Sequence, residues 1–287
     1  MINPVYQPGL TLADYSTQLQ PEDYYPDSET KKGYKKALRG LQDELKQCHD
    51  DLYADQRHAV LLIFQGMDTA GKDSTVKRVV ARMNPSGCFV YNFGRPSETE
   101  LKHDFLWRIQ ACLPERGHLS VFNRSHYEDV LVTRVHPELL HKQHLRRTQF
   151  DEHFWQQRFD AINAFEQHLV HSGTTILKFW LHLGQAEQKQ RLLARLDNDD
   201  KNWKFEENDI RERQFWSDYQ QVASQMLQQT HQTACPWHVI PADDKKQMRL
   251  WVSRIVLETM KSLPLKRPQL SKSAKEHYKQ LLSGKKV

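Results

Sequence analysis

Long hydrophobic runs are missing from this sequence. Nowhere do about 18 apolar residues follow one another, so no membrane-spanning helix is expected. The opening Met1-Ile2-Asn3-Pro4 offers neither a basic start nor an apolar segment, so no secretory signal is expected either. Cysteine is scarce. The four present (Cys48, Cys88, Cys112, Cys235) show no paired spacing, which argues against a disulfide framework or a zinc knuckle and for a reduced, cytoplasmic protein. A general excess of positive charge is lacking as well. The formal net charge is +5, but residues 261–287 hold eight Lys/Arg against one Glu, which leaves −2 for residues 1–260. A globally basic nucleic-acid binder is thereby excluded, and any polyanion site must be a local channel. The basic tail reads as a solvated helix with a frayed end, with polyanion gripping as the alternative.

What the 287 residues do contain is a strand-loop-helix signal at residues 60–80, VLLIFQGMDTAGKDSTVKRVV. The apolar run Val60, Leu61, Leu62, Ile63, Phe64 predicts a buried parallel strand. Gly66 and Gly71 bracket a loop with the phosphate-cradle spacing G-x-x-x-x-G-K, closed by Lys72. Glycines let the backbone wrap close to phosphate oxygens, with Thr69, Ala70, Asp73 and Ser74 supplying the rest of the cradle. The following helix adds partial positive charge at its start and Lys72 a full one. Asp73 stands where Ser or Thr is usual, and a second acid, Asp68, lies inside the loop. A carboxylate in a phosphate cradle repels the ligand unless a cation intervenes, so Asp68 is expected to contact Mg2+ or Mn2+.

The remaining chain alternates helix and strand. Residues 1–30 read as an irregular arm, and 31–260 as one phosphate-handling domain followed by the tail. Leu38, Leu41, Leu45, Cys48 and Leu52 predict a helix ahead of the first strand. Residues 88–93 predict a second strand ending near Arg95. Ser97 and Glu100 form a capping-box pattern for a helix through about Cys112. Residues 119–123 predict a buried strand whose last residue, Asn123, takes the place of the acidic metal-side group, with Arg124 after it. Ser125 and Glu128 also fit a capping box, which leaves Glu128 either a cap or a site residue. A long helix is expected over 143–171, a strand over 174–183, a helix over 185–196 and a last strand over 238–243, followed by an amphipathic helix. His141/His144 and His168/His171 lack companion ligands for a metal, and residues 197–200 lack the spacing of a calcium loop. Residues 201–219, dense in charge and aromatics, suit a lid over phosphates, within a lid segment of about 197–219; a plain surface helix with ion pairs is the alternative. The fold expected is α/β with three layers, a mainly parallel sheet flanked by helices, and a ligand site at the carboxyl ends of the strands.

These blocks occur together and in order: GMDTAGKDSTVKRV (66–79), NPSGCFVYNFGRPSETEL (84–101), FLWR (105–108), VFNRSHYEDVLVTRVHPE (121–138) and DKNWKFEENDIRERQFWSDY (200–219). In them the sequence resembles the polyphosphate kinase type 2 family, whose P-loop kinase fold is similar to thymidylate kinase. The resemblance covers most of residues 30–260. It implies reversible, Mg2+- or Mn2+-assisted phosphoryl transfer between inorganic polyphosphate and adenine nucleotides, with guanine nucleotides as a further option. Asn123 and Glu128 resemble the subgroup that accepts AMP as well as ADP. Position by position, the resemblance makes Asp68 the essential P-loop aspartate, Lys72 the phosphate-gripping lysine and Asn123 the metal-side residue. It gives phosphate contacts to Arg124 and Arg134, and sets Lys204, Asp209, Glu212 and Arg213 on the lid motif. Lys77 and Arg78 would line the polyphosphate path, and Arg95 would meet the acceptor nucleotide. A homo-oligomer, dimer or tetramer, is implied too, with no nucleic acid and no membrane as partner. Two rivals share part of the pattern: an ATP-dependent nucleoside monophosphate kinase, and a P-loop protein that binds polyanion without turnover.

Overall fold

Five short segments rich in β-branched and aromatic residues pair into one sheet, seen here in a computed structural model that describes residues 4–200 and 202–283. In chain order the elements are α1 (Lys31–Asp55), β1 (Ala59–Gly66), α2 (Lys72–Val79), β2 (Cys88–Asn92), α3 (Glu98–Leu101), α4 (Trp107–Gln110), β3 (Leu119–Asn123), α5 (Glu128–Val135), α6 (Glu152–His171), β4 (Thr174–His182), α7 (Gln185–Leu196), α8 (Glu207–Glu212), α9 (Trp216–Thr230), β5 (Trp237–Pro241), α10 (Lys245–Ser262) and α11 (Lys272–Leu282). The strands run in the order β2-β3-β1-β4-β5, and every neighbouring pair is parallel. Inner parallel strands are buried on both faces, which is why β1 reads as an apolar run and β3 as a largely apolar one, while the edge strand β2 stays partly exposed.

Alternation along β1 separates the two cores. Val60, Leu62 and Phe64 point into the layer formed with α1, α2 and α10. Leu61 and Ile63 point the other way, toward α5, α6 and α9. The expected three layers are therefore present. All five strands lie where the sequence placed them, give or take two residues at their ends. The first helix and the capping box at Ser97 and Glu100 are also as expected, the Ser97 side chain accepting from the Glu100 amide and Glu100 from the Ser97 amide.

Three expectations about helices need correction. The helix from Ser97 does not reach Cys112: α3 stops after one turn, and α4 is a separate short turn whose start Asp104 organises by accepting the Leu106 amide. Nor does one helix fill 143–171. A 3-10 stretch over Pro137–Gln143 ends at His144 in the left-handed region, and α6 begins only after Asp151 accepts the Phe154 amide. The cap at the end of β3 is different again. Ser125 Oγ accepts from the Tyr127 amide and from Gln65 Nε2, Tyr127 is the N-cap of α5, and the Glu128 amide donates to the Ser125 carbonyl without its side chain closing a capping box. Glu128 is thus released from the capping alternative.

The N-terminal arm is irregular but seated. The Tyr6 amide donates to the Trp237 carbonyl at 2.8 Å and the Val239 amide to the Pro4 carbonyl at 2.7 Å, while Tyr6 and Leu12 are fully buried. The arm therefore covers the otherwise open edge of β5. At the far end α11 stands exposed, with Tyr278, Leu281 and Leu282 in contact with solvent. Among the described residues no helix is long and apolar enough to cross a membrane.

Candidate active site

The carboxyl ends of β1 and β3, side by side at the centre of the sheet, set the site. At the end of β1, Gly66 has φ +150°, and a Cβ there would lie 2.8 Å from the Leu181 carbonyl oxygen. Glycine at this point lets β1 stay packed on β4 while the chain turns out of the sheet. Gly71 (φ +100°) caps α2, and Thr69, a non-glycine residue, also sits in the left-handed region at φ +60°. Such strain persists where surrounding contacts hold it. They do here: Arg191 Nη1 donates to the carbonyls of Thr69 (3.0 Å) and Ala70 (3.2 Å), and Gln188 Nε2 donates to that of Asp68 (3.2 Å). Arg191 also reaches the carbonyls of Ala242 (2.6 Å) and Asp243 (2.9 Å), so one buried guanidinium staples the loop to the end of β5.

Inside the loop Lys72 is buried, its Nζ donating to the Gly66 (2.7 Å) and Met67 (3.1 Å) carbonyls. Burial, helped by the neighbouring charge of Arg124, brings its pKa down to about 8, against the opposing pull of Asp68, Glu128 and Asp73. Four other residues singled out from sequence thus act on Lys72 through space. Asp68 lies at the rim. Its Oδ2 is 3.6 Å from Arg195 Nη2 and has no hydrogen-bond partner among the described residues. Ser74 Oγ donates to the Gly71 carbonyl (2.9 Å) and accepts from Arg249 Nη2 (3.0 Å), which makes it part of the loop's support.

Asn123 ends β3 directly opposite Asn92 of β2 and Phe64 of β1. Its Nδ2 donates to Asp73 Oδ1 (2.8 Å) and to Asn92 Oδ1 (2.7 Å). An amide suits this place because Asp73 already brings a carboxylate; a second one at hydrogen-bond distance would repel it. Arg124, exposed and in the left-handed region at φ +63°, turns away from the strand as its amide donates to the Phe64 carbonyl. Lys77 and Arg78 are exposed on α2, and Arg95 is exposed beyond β2. Arg134 is differently placed. Both its contacts at 2.8 Å go to the carboxylate of Glu152, and its guanidinium lies over Trp155 and Phe159. Its Nη2 is thus committed to Glu152.

Residues 202–219 meet the loop through α7. Arg213 Nη1 donates to Gln188 Oε1 (2.7 Å), and Gln188 in turn holds the Asp68 carbonyl. Arg195 bridges Asp68 and Asp209 Oδ2 (3.1 Å). Glu212 accepts from the Tyr219 hydroxyl (2.8 Å) and lies 3.1 Å from His136 Nε2. Lys204 lies in a 3-10 turn, and its side chain is outside the described residues. The Arg211–Glu207 ion pair of α8 is what the surface-helix reading expects, while Asp209 and Arg213 tie the same segment to α7.

Set beside known proteins, the sequence matches the profile of the family described as Polyphosphate kinase 2 (PPK2) over residues 28–268. The chain belongs to the polyphosphate kinase 2 family. An ADP-polyphosphate phosphotransferase of Rhodopseudomonas palustris is 45% identical over 262 residues, covering 91% of each chain. An AMP/ADP-polyphosphate phosphotransferase of Meiothermus ruber is 41% identical over 253 residues, 88% of this chain and 90% of the other. Among solved structures, polyphosphate kinase 2 from Arthrobacter aurescens TC1 superposes with a TM-score of 0.87 at 34% identity, over 98% of this chain and 95% of that one.

For a polyphosphate kinase 2, the residues that sequence reading missed are on α7. Gln188, Arg191 and Arg195 recur every three or four positions and so share one helix face. A polar face is ordinarily a solvated one, which is why nothing marked it; here it packs on the P-loop. The divalent ion inferred for such an enzyme fits what is present. Asp68 offers a carboxylate oxygen with an unspent lone pair beside the cradle. Among the described residues no group of three or more His, Cys, Asp or Glu surrounds one point. A lone carboxylate oxygen of the Asp68 kind matches a hard divalent ion held by one or two carboxylates, with phosphate oxygens and water completing its shell.

Proposed function

We propose that this protein transfers the terminal phosphoryl group of inorganic polyphosphate to AMP and to ADP, giving ADP and ATP, in a reversible reaction assisted by Mg2+ or Mn2+. The observation that carries the proposal is the pairing, at the β1–α2 junction, of a buried lysine held in a glycine-framed loop with a rim carboxylate that has an oxygen to spare. Polyphosphate bears negative charge along its length, and its acceptor is anionic too, so repulsion must be neutralised before chemistry begins. Phosphoryl transfer asks little covalent work of a protein; positioning and charge placement supply most of the acceleration.

The roles follow from position. Lys72 and the first amides of α2 grip the phosphates of one substrate. Gly66, Thr69, Ala70, Gly71, Asp73 and Ser74 shape that cradle, and Lys77 and Arg78 extend it along the polyphosphate. Arg124 faces the same space, where its fork suits bidentate phosphate contacts. Asn123, fixed between Asp73 and Asn92, and Glu128 set the acceptor end, with Arg95 at the acceptor's phosphate. Arg134 joins when it releases Glu152, and Arg213 and Lys204 belong to the lid that closes over the transferred group. A divalent ion at Asp68, when bound, would draw charge from the bridging phosphates. The phosphotransferase domain comprises residues 31–260, with the lid at about 197–219, between the arm (1–30) and the basic tail (261–287). The protein is placed in the cytoplasm as a homodimer or homotetramer, with neither nucleic acid nor membrane as partner.

The test offers AMP and ADP separately, with long or short polyphosphate as the only donor, and follows nucleotide products by chromatography. Product from both acceptors supports the reading. Product only when ATP is supplied would make the protein a nucleoside monophosphate kinase, and polyphosphate binding without product a polyanion binder.

A further inference from the structure

Arg195 sits in the last turn of α7 with its guanidinium between two carboxylates. Nη1 makes a hydrogen-bond contact at 3.1 Å with Asp209 Oδ2 of the lid helix α8. Nη2 stands 3.6 Å from Asp68 Oδ2, close enough for charge attraction but without a hydrogen bond, since that oxygen lacks one among the described residues. The three side chains are partly enclosed, with 21% of Arg195, 37% of Asp68 and 20% of Asp209 exposed. Burial and the nearby charge of Asp68 push the Asp209 carboxyl above its usual range, against the pull of Arg195. The two acids therefore repel one another, and the arginine between them relieves it.

We propose that Arg195 is a stand-in cation for Asp68: it holds the carboxylate in the metal-free protein and competes with the divalent ion for it, while Asp209 draws Arg195 back toward the lid. This rests on the placing of the divalent ion at Asp68 proposed above. A guanidinium and a divalent ion cannot both sit against one carboxylate without strong mutual repulsion. The contact to Asp68 is the looser of the two, so it is the one that yields. Arg195 then keeps Asp209 and turns its second nitrogen toward the phosphates, where an arginine fork is useful. It is a positioning residue: it sets how readily Asp68 is vacated, and through Asp209 it makes that readiness depend on the lid.

The experiment measures binding of Mn2+ alone, by electron paramagnetic resonance of the free ion, to the full chain and three variants checked for folding by circular dichroism. Arg195→Gln removes the competitor and is expected to tighten Mn2+ roughly threefold to tenfold, the range a partly exposed ion pair commands. Asp209→Asn removes the counter-pull, leaves Arg195 on Asp68, and is expected to weaken Mn2+ by a similar factor. An arginine with only a structural role predicts loss or no change in both. Arg195→Gln binding Mn2+ no better than the parent, with Asp209→Asn binding it no worse, overturns the inference. Asp68→Asn separates the two layers: if it abolishes Mn2+ binding while the other variants do nothing, only the Arg195 inference fails. If it binds Mn2+ as the parent does, the metal placement fails and takes the inference with it.

Discussion

Lys72 is a lysine whose surroundings have shifted it far from a solvated ammonium. Burial and Arg124 bring its pKa from 10.5 to about 8, so in the ligand-free protein its charge is lost as pH rises through about 8. Polyphosphate binding needs that charge, so affinity should fall above about pH 8, and proton uptake should accompany binding there. Isothermal titration from about pH 7 to about pH 9.5 checks this; Lys72→Arg, which stays charged, should flatten that limb. The same depression means that the unfolded chain holds more protons between about 8 and 10.5, so this residue makes stability rise with pH in that window. Asp68→Asn should cut turnover by about a thousandfold, the scale of losing one charge-placing group, while the melting temperature stays near the parent's. These residues were legible because spacing and residue type coincide at 66–72. Arg191 and Arg195 were not, since a helix's polar face does not announce which surface it meets.

Elements were legible in proportion to their apolar content. The inner strands were found because burial on both faces leaves a largely apolar run, and the edge strand β2 by its aromatic and β-branched residues. The stretch 143–151 was misread because Phe150 keeps helical spacing with Phe154, although His144 turns left-handed and Asp151 starts a new cap. One feature of β4 escaped notice altogether. Lys178, inside the apolar run TTILKFWLHL, is completely buried and donates to Glu166 Oε2 (2.6 Å), the Thr230 carbonyl (2.7 Å) and the Tyr127 hydroxyl (3.2 Å). Glu166, from α6, also accepts from Tyr127 (2.6 Å), so β4, α6, α9 and the start of α5 meet at one ion pair. Burial alone would raise the Glu166 carboxyl, but Lys178 and His126 hold it below the ordinary carboxylate range. Glu166→Gln leaves the ammonium uncompensated and should cost roughly 3–5 kcal/mol in urea unfolding. Adding Lys178→Met should recover much of the loss; two additive losses would mean that the pair is not coupled.

At the scale of the whole molecule, charge and topology point to the same place. With −2 spread over residues 1–260, attraction for a polyanion has to come from where the fold gathers cations. It gathers Lys72 and Arg124 at the ends of β1 and β3, where the strand order reverses direction and ligands of such sheets settle. The three-layer architecture could be read from the alternation of strand and helix, and the cradle from its glycines. The seating of the arm could not, because Tyr6 and Leu12 show no periodicity, and they are held by β5 and α9, more than 200 positions away. In the proposed reaction a divalent ion at the Asp68 carboxylate lets two anions meet above the first βα junction. The most direct test of this is a crystal grown with Mn2+, AMP and a short polyphosphate, with anomalous difference density recorded at the manganese edge. The expected result is a peak within bonding distance of Asp68 Oδ2, shared with phosphate oxygens lying over Lys72. A manganese peak and phosphates found elsewhere, with Asp68 still turned to Arg195, would contradict it.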